Sequence, residues 1–333
     1  MEEILTAHPA YRGRQARAAV FRRLVPSWEE ASDLPLELRK LLDQEVPLVT
    51  PNQISQSPDG GTAKAAITLA DGETIETVLM RHRGKRNTVC VSSQVGCSLG
   101  CDFCLTGDQG YTRNLTQGEI VSQVLFWSRF LGESSERVSN VVFMGMGEPL
   151  LNYDAVLSAV RIFNDPEGLE IGARRISISS AGIVEGIDRL AGEGLQFNLS
   201  ISLHAPDDQL RSRLMPINRT YPIEAVLQAA ARYIEKTGRR LMIEYLLLAG
   251  VNDSPDQAVQ LAARLRKYLS RLFFVNLIVY NRTGKYLPPG EPAVREFVRV
   301  LEEAEIAVTR RFRFGDGIGA ACGQLAGDGP VPA

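Results

Sequence analysis

From residue 88 onward the chain repeats one pattern: a short apolar run, then a longer stretch with helical periodicity. The runs are TVCVSS (88–93), NVVFMG (140–145), RISISS (175–180), FNLSISL (197–203), LMIEYLLL (241–248) and FFVNLIVY (273–280). The helix-like stretches lie near 116–131, 153–163, 183–193, 222–236, 255–269 and 292–305. Thr116 and Glu119 form a capping box before the first of them. Apolar strands alternating with helices predict an α/β fold with a parallel sheet covered by helices. Six such units predict a partial (β/α)6 barrel, whose chemistry would sit at the carboxyl ends of the strands.

The chain has 333 residues, enough for a large α/β body with small appendages. Residues 1–44 read as a small helical unit, with a helix start at Ser27 followed by Glu29 and Glu30. From Thr62, TAKAAITLADGETIETVLM alternates at period two on either side of Asp71-Gly72, which predicts a hairpin. The expected boundaries are an N-terminal helical accessory domain at 1–44, a β-hairpin linker or extension at 45–87, a catalytic partial barrel at 88–325 and a short flexible tail at 326–333.

Composition matters mainly for the cysteines. A hydrophobic fraction of 44% and a charged fraction of 23% are those of a soluble globular protein. No apolar run reaches the length of a membrane span, and the start, MEEILTAHPAYRGRQ, is not a signal peptide. The expectation is a cytoplasmic protein with no membrane partner, whose thiols stay reduced. Clustered cysteines there read as metal ligands or catalysts rather than a disulfide framework. Net charge is −2, so the whole chain lacks the basic footprint of a nucleic-acid binder. Local charge differs: Arg81, Arg83, Lys85 and Arg86 precede one cysteine site, and Arg310, Arg311 and Arg313 precede another.

Four of the five cysteines, at 90, 97, 101 and 104, crowd into CVSSQVGCSLGCDFC; the fifth is Cys322. Cys97, Cys101 and Cys104 would hold three irons of a [4Fe–4S] cluster and leave the fourth iron open to a ligand. A closed zinc site with Cys90 as fourth ligand, or unligated core thiols, are the alternatives.

This CxxxCxxC after the first strand, with Phe103 before its last cysteine, looks like the radical S-adenosylmethionine (SAM) superfamily. CVSSQVGCSLGCDFCLTG, MGMGEP, SISLHAP, LMPIN, GVND, NLIVYN and ACGQLAG together resemble the RlmN/Cfr family of RNA adenine methyltransferases. The resemblance runs from SDLPLELRKLL in the N-terminal unit to Gln324. It implies one [4Fe–4S] cluster on Cys97, Cys101 and Cys104, and SAM contacts from Gly147, Glu148, Ser179, Ser202, Leu203, His204 and Asn281. It implies that Cys322 takes a methyl group from one SAM and that a radical from a second SAM activates that methyl for addition to the base. It implies that Cys90 then resolves the adduct through a transient disulfide and that Glu76 accepts a proton. Taken alone, Glu76 on a hairpin reads as a solvated carboxylate.

The implied substrate is RNA: C2 of an adenosine in 23S rRNA, with tRNA as a further target. The implied electron donor is flavodoxin-like, and the protein is expected to be a monomer. RNA contact would rest on the two basic segments and on Arg14, Arg17, Arg22 and Arg23. Methylation at adenine C8, as in antibiotic resistance, remains an alternative. So does a radical SAM enzyme on a non-RNA substrate, or a metal-binding RNA-associated protein without catalysis.

Overall fold

The computed structural model describes residues 1–326 apart from Pro47 and Arg313. The strands are β1 (Gln53–Gln56), β2 (Thr62–Thr68), β3 (Thr74–His82), β4 (Arg86–Val91), β5 (Gln94–Gly96) and β6 (Tyr111–Asn114). They continue as β7 (Asn140–Phe143), β8 (Ile176–Ser180), β9 (Asn198–Ser202), β10 (Leu241–Leu247), β11 (Phe273–Val279) and β12 (Val308–Arg310). The helices are α1 (Glu2–Thr6), α2 (Ala10–Arg17), α3 (Leu36–Glu45), α4 (Leu105–Asp108), α5 (Gln117–Gly132) and α6 (Tyr153–Asn164). Then come α7 (Val184–Leu190), α8 (Asp208–Leu214), α9 (Ile223–Thr237), α10 (Pro255–Tyr268) and α11 (Glu291–Glu303). None of the described helices is long and apolar enough to cross a membrane.

Ten strands form one open sheet in the order β1-β2-β3-β4-β7-β8-β9-β10-β11-β12. From β4 to β12 every neighbouring pair is parallel. The partial barrel expected from the apolar runs is present, with one more parallel strand than the six predicted. β12 is three residues long and half exposed, too short for apolar periodicity to mark it. Each crossover brings a helix against the sheet. In α9, Ile223, Val226, Leu227, Ala230 and Tyr233 are buried at helical spacing, and Gly238 ends the helix in the left-handed region at φ +63°. The Thr116–Glu119 capping box at α5 is complete, and α10 has a second one from Ser254 and Gln257.

The Asp71-Gly72 hairpin forms as expected, with Gly72 at φ +88° and its N–H donating to the Leu69 carbonyl at 3.0 Å. It does more than link: β3 pairs antiparallel with β4, so the hairpin extends the main sheet and sets Val78 opposite Cys90. In the N-terminal unit the helix start expected at Ser27 is only a 3-10 turn, Trp28–Glu30, without a side-chain cap. Pro35 follows too closely to sit inside a longer helix, and α3 begins directly after it. Trp28 is fully buried and donates to the Val46 carbonyl at 2.8 Å. Three of the arginines expected to contact RNA have acidic neighbours within the chain, while Arg14 is exposed. Arg17 pairs with Asp165, Arg22 lies near Glu170, and Arg23 pairs with Asp33. Of the expected tail at 326–333, all but Ala326 lies outside the described residues.

Arg211, at the base of α8, is fully buried. Its guanidinium donates to the carbonyls of Ala181, Ser202, Leu203 and Tyr221, at 2.6 to 3.2 Å, and to Asn218 Oδ1 at 2.9 Å. The carbonyl ends of β8 and β9 therefore share one donor fork. Arg211→Lys keeps the charge but not the fork, and leaves several buried carbonyls unpaired. A loss of at least about 3 kcal/mol is expected in chemical denaturation, because each such group costs roughly 1–3 kcal/mol.

Candidate functional site

The carboxyl ends of the parallel strands open on two adjoining cavities. The loop after β4 and β5 carries the three clustered cysteines. It is compact: the Cys104 N–H donates to the Cys101 carbonyl at 3.0 Å, the Cys97 N–H to Gly110 at 2.6 Å, and the Asp102 N–H to Leu214 at 2.9 Å. A Cβ on Gly107 would lie 3.0 Å from the Cys101 nitrogen, so glycine permits this turn. Cys97, Cys101 and Cys104 all line the inner cavity, together with Gly147, Glu148, Ser179, Ser202 and His204. Five of the residues expected to bind SAM thus reach the cysteines from three strand ends, those of β7, β8 and β9.

Each is placed by its backbone. Gly147 has φ +94°, and a Cβ there would meet Gln94 Cβ at 2.5 Å. Glu148 is buried; its carboxylate accepts from the N–H groups of Leu150 at 3.0 Å and Ala181 at 2.7 Å. Burial pushes its carboxyl up, and those two bonds oppose the shift. His204 sits at φ +59°, and its Nδ1 accepts from the Leu246 N–H at 3.1 Å. Burial pulls its pKa down to about 3, so the ring is neutral and Nε2 carries the proton. Phe103 stands edge-on to the His204 ring, with centroids 5.0 Å apart. Leu203 is in the core, where its N–H donates to the Glu244 carbonyl at 3.0 Å. Asn281 lies apart from the inner cavity set: its side chain donates to the Cys322 carbonyl at 3.2 Å and lines the outer cavity.

The outer cavity contains Cys90 and Cys322. Cys322 lines both cavities and Cys90 only the outer one. The closed zinc alternative needed Cys90 beside the cluster loop, and β4 aims it elsewhere. Three thiols lining one cavity, with no fourth cysteine there among the described residues other than the cavity-bridging Cys322, suit an iron–sulfur cluster with an open iron better than a closed zinc site. Burial pushes the Cys97 thiol up to about 12 and raises Cys101 and Cys104 as well, so without a cation the three are neutral thiols. The Arg211 guanidinium favours the Cys101 thiolate.

The segment bearing Cys322 is laid over the strand ends and fastened on both sides. Its Gly323 carbonyl accepts from the Leu105 N–H at 2.9 Å, and its Leu325 carbonyl from Thr106 Oγ1 at 2.6 Å. Its Ala326 N–H donates to Glu76 Oε2 at 2.8 Å. Glu76 is not solvated: it is buried, and its other oxygen is 2.6 Å from Lys64 Nζ. Lys64 was not singled out in the sequence.

Two more charged residues join the site. Arg311, one of the basic segment before Cys322, lines both cavities, and its Nη1 lies 3.0 Å from Met144 Sδ. Cys322, then Glu244 and Cys90, hold its guanidinium charged against the cost of burial. Glu244 lies in β10 and is 1% exposed. Its Oε2 accepts from Asn276 at 2.8 Å, while Oε1 has no hydrogen-bond partner among the described residues. A carboxylate inside LMIEYLLL was a signal in its own right, since an isolated buried charge is costly. Burial raises its carboxyl and Arg311 lowers it.

Burial pushes the Cys90 thiol up to about 12, helped by the neighbouring Cys322 and opposed by Arg311. At neutral pH Cys90 is therefore a thiol rather than a thiolate. Iodoacetamide on the folded, cluster-loaded protein is expected to modify the partly exposed Cys322 first, and Cys90 only after denaturation. Peptide mass spectrometry reads the order.

Residues 91–262 match the Radical SAM superfamily. The chain is 47% identical to the probable dual-specificity RNA methyltransferase RlmN of Chloroflexus aurantiacus, over 97% of this chain and 89% of the relative. It is 44% identical to the protein of the same name from Dictyoglomus thermophilum, over 95% of this chain and 90% of the relative. Among solved structures, a radical SAM methyltransferase from Sphaerobacter thermophilus is similar at a TM-score of 0.93 and 45% identity, covering 98% of this chain and 96% of that one.

Proposed function

The chain belongs to the RlmN family of the radical SAM superfamily, and from that premise we propose that it methylates a ring carbon of adenine in RNA through Cys322. C2 is the position proposed, in 23S rRNA and also in tRNA. The observation that carries this reading is the place of Cys322: it lines both the cavity of the three clustered cysteines and the cavity of Cys90. One sulfur can then meet SAM on one side and a resolving thiol on the other.

Cys97, Cys101 and Cys104 would hold the [4Fe–4S] cluster, which when bound supplies the electron that cleaves SAM. Glu148, Ser179, Ser202 and His204 would orient SAM beside it, with the neutral His204 offering Nε2–H as a donor. The Cys322 sulfur, giving up its proton, attacks the methyl carbon of a first SAM, forming a sulfur–carbon bond and releasing S-adenosylhomocysteine. Adenine C2 is electrophilic, so it cannot take a cationic methyl directly. The S-methyl carbon, after losing a hydrogen atom to the radical from a second SAM, adds to the ring instead. The ring radical so formed would return one electron to the cluster while Glu76, held by Lys64, accepts the ring proton. Cys90 then attacks the Cys322 sulfur, that carbon–sulfur bond breaks, the released carbon keeps the electron pair and takes up a proton to become the methyl group, and a disulfide remains for a flavodoxin-like donor to reduce. Arg311, which lines the same cavity as both thiols, would favour the Cys90 thiolate.

The test is anaerobically reconstituted protein with SAM, reductant and unmodified 23S rRNA, followed by digestion and mass spectrometry of methyladenosine isomers. 2-Methyladenosine is expected; 8-methyladenosine would move the reaction to C8. SAM cleavage with neither product would overturn the RNA reading. Two variants separate the steps. Cys90→Ala is expected to accumulate a covalent RNA adduct on Cys322, seen as a protease-sensitive gel shift. Cys322→Ala is expected to give neither adduct nor product while SAM cleavage persists. Cys101→Ala is expected to lose the brown cluster absorbance altogether.

A further inference from the structure

A groove lies on the surface directly outside the thiol cavity. Phe312 and Phe314 line both the groove and the outer cavity. Cys322 and Arg311 in turn line both the outer and the inner cavity. Groove, thiols and cluster loop are therefore consecutive spaces.

The groove has an unusual lining. Phe312 is 74% exposed, the most exposed large apolar side chain among the described residues. It rests on Phe314 with ring centroids 5.3 Å apart, and Phe314 meets the His82 ring at 4.7 Å. Three rings thus run in series from solvent to the floor of the groove. His82 behaves as an aromatic ring rather than a cation, because burial, then Arg86 and Arg311, pull its pKa down to about 4. Arg83 and Arg86 line the same groove, and Lys85 stands at the hairpin tip between them. Two other basic residues near it are occupied: Arg81 with Glu136, and Arg310 with Glu291 through two 2.6 Å bonds. Arg313 lies outside the described residues. Arg86 bonds the neutral His82 ring at 2.8 Å, and Arg83 and Lys85 have no ion pair among the described residues, so no carboxylate there neutralises the three. Such cations around an exposed aromatic ring match a nucleotide strand, whose phosphates take the charge while its bases stack.

We propose that the Phe312–Phe314–His82 series is the stacking platform for an unpaired RNA base next to the target, with Arg83, Lys85 and Arg86 on the flanking phosphates. The inference rests on the RNA reading above and adds the site of entry. A base in a duplex cannot reach Cys322; one already unstacked, with its neighbour parked on Phe312, can pass into the thiol cavity.

The experiment uses reconstituted enzyme and two synthetic RNA hairpins, one with a bulged adenosine and one fully paired, with affinity read by anisotropy. Phe312→Ala is expected to weaken binding of the bulged hairpin about tenfold and to leave the paired one nearly unchanged. Arg86→Gln is expected to weaken both and lower the salt slope by about one. Phe312→Trp is expected to keep affinity and to lose emission on RNA addition, since stacking quenches the new indole. Trp28 and Trp127 are fully buried and serve as the constant background. Wild-type binding with unchanged Phe312→Ala affinity and an unmoved Phe312→Trp signal overturns the platform, leaves the RNA reading intact, and assigns the patch to another partner. A wild type that binds neither hairpin overturns the RNA reading and the platform with it.

Discussion

The buried guanidinium of Arg211 is the interaction on which the active end of the barrel depends. Parallel strands end in carbonyls that no further strand takes up, and at an enclosed site each needs a donor. Arg211 supplies one fork to the ends of β8 and β9 and to the loop beyond α8. Burying a charge is costly, and five hydrogen bonds offset that cost only while the geometry holds. Burial also lowers its pKa to about 10, still far enough above neutrality to keep the charge. The same α8 ends at Leu214, whose carbonyl anchors the cysteine loop through Asp102. Strand ends and cysteine loop are thereby tied to one helix, whose Arg211 also places positive charge beside Cys101.

Past that knot, the site is a sequence of spaces joined by residues that belong to two at once. Cys322 and Arg311 belong to both cavities, and the Phe312–Phe314 pair to both the outer cavity and the groove. Cys322 reaches its place on a segment fastened to the cysteine loop at Leu105 and Thr106 and to the hairpin at Glu76. Hairpin, barrel and C-terminal segment thus build one reaction chamber, although they are far apart along the chain. Electrostatics divides its labour. Burial keeps Cys90 protonated, while Arg311 faces both thiols and Glu244 faces Arg311.

Much of this was legible in the sequence because it is local. Apolar runs alternating with amphipathic stretches specify strand and crossover helix, and Thr116–Glu119 and Asp71-Gly72 announce a cap and a turn through their own side chains. CxxxCxxC groups three thiols through spacing alone. What escaped was short or nonlocal. β12 has three residues, too few for a period, and forms because β11 offers it an edge. The turn at Ser27 reads locally like a helix start, but Pro35 stops it.

By itself, then, the sequence determined the strand–helix order, the thiol inventory and the family, since these depend on residue type and spacing within a few turns of chain. The tertiary structure decided which thiols share a cavity, that Arg311 faces inward rather than toward solvent, and that Glu76 is sealed between Lys64 and Ala326. Those outcomes depend on the mutual approach of segments up to two hundred and fifty positions apart. Burial, which sets the charge of every titratable group there, exists only once they have met.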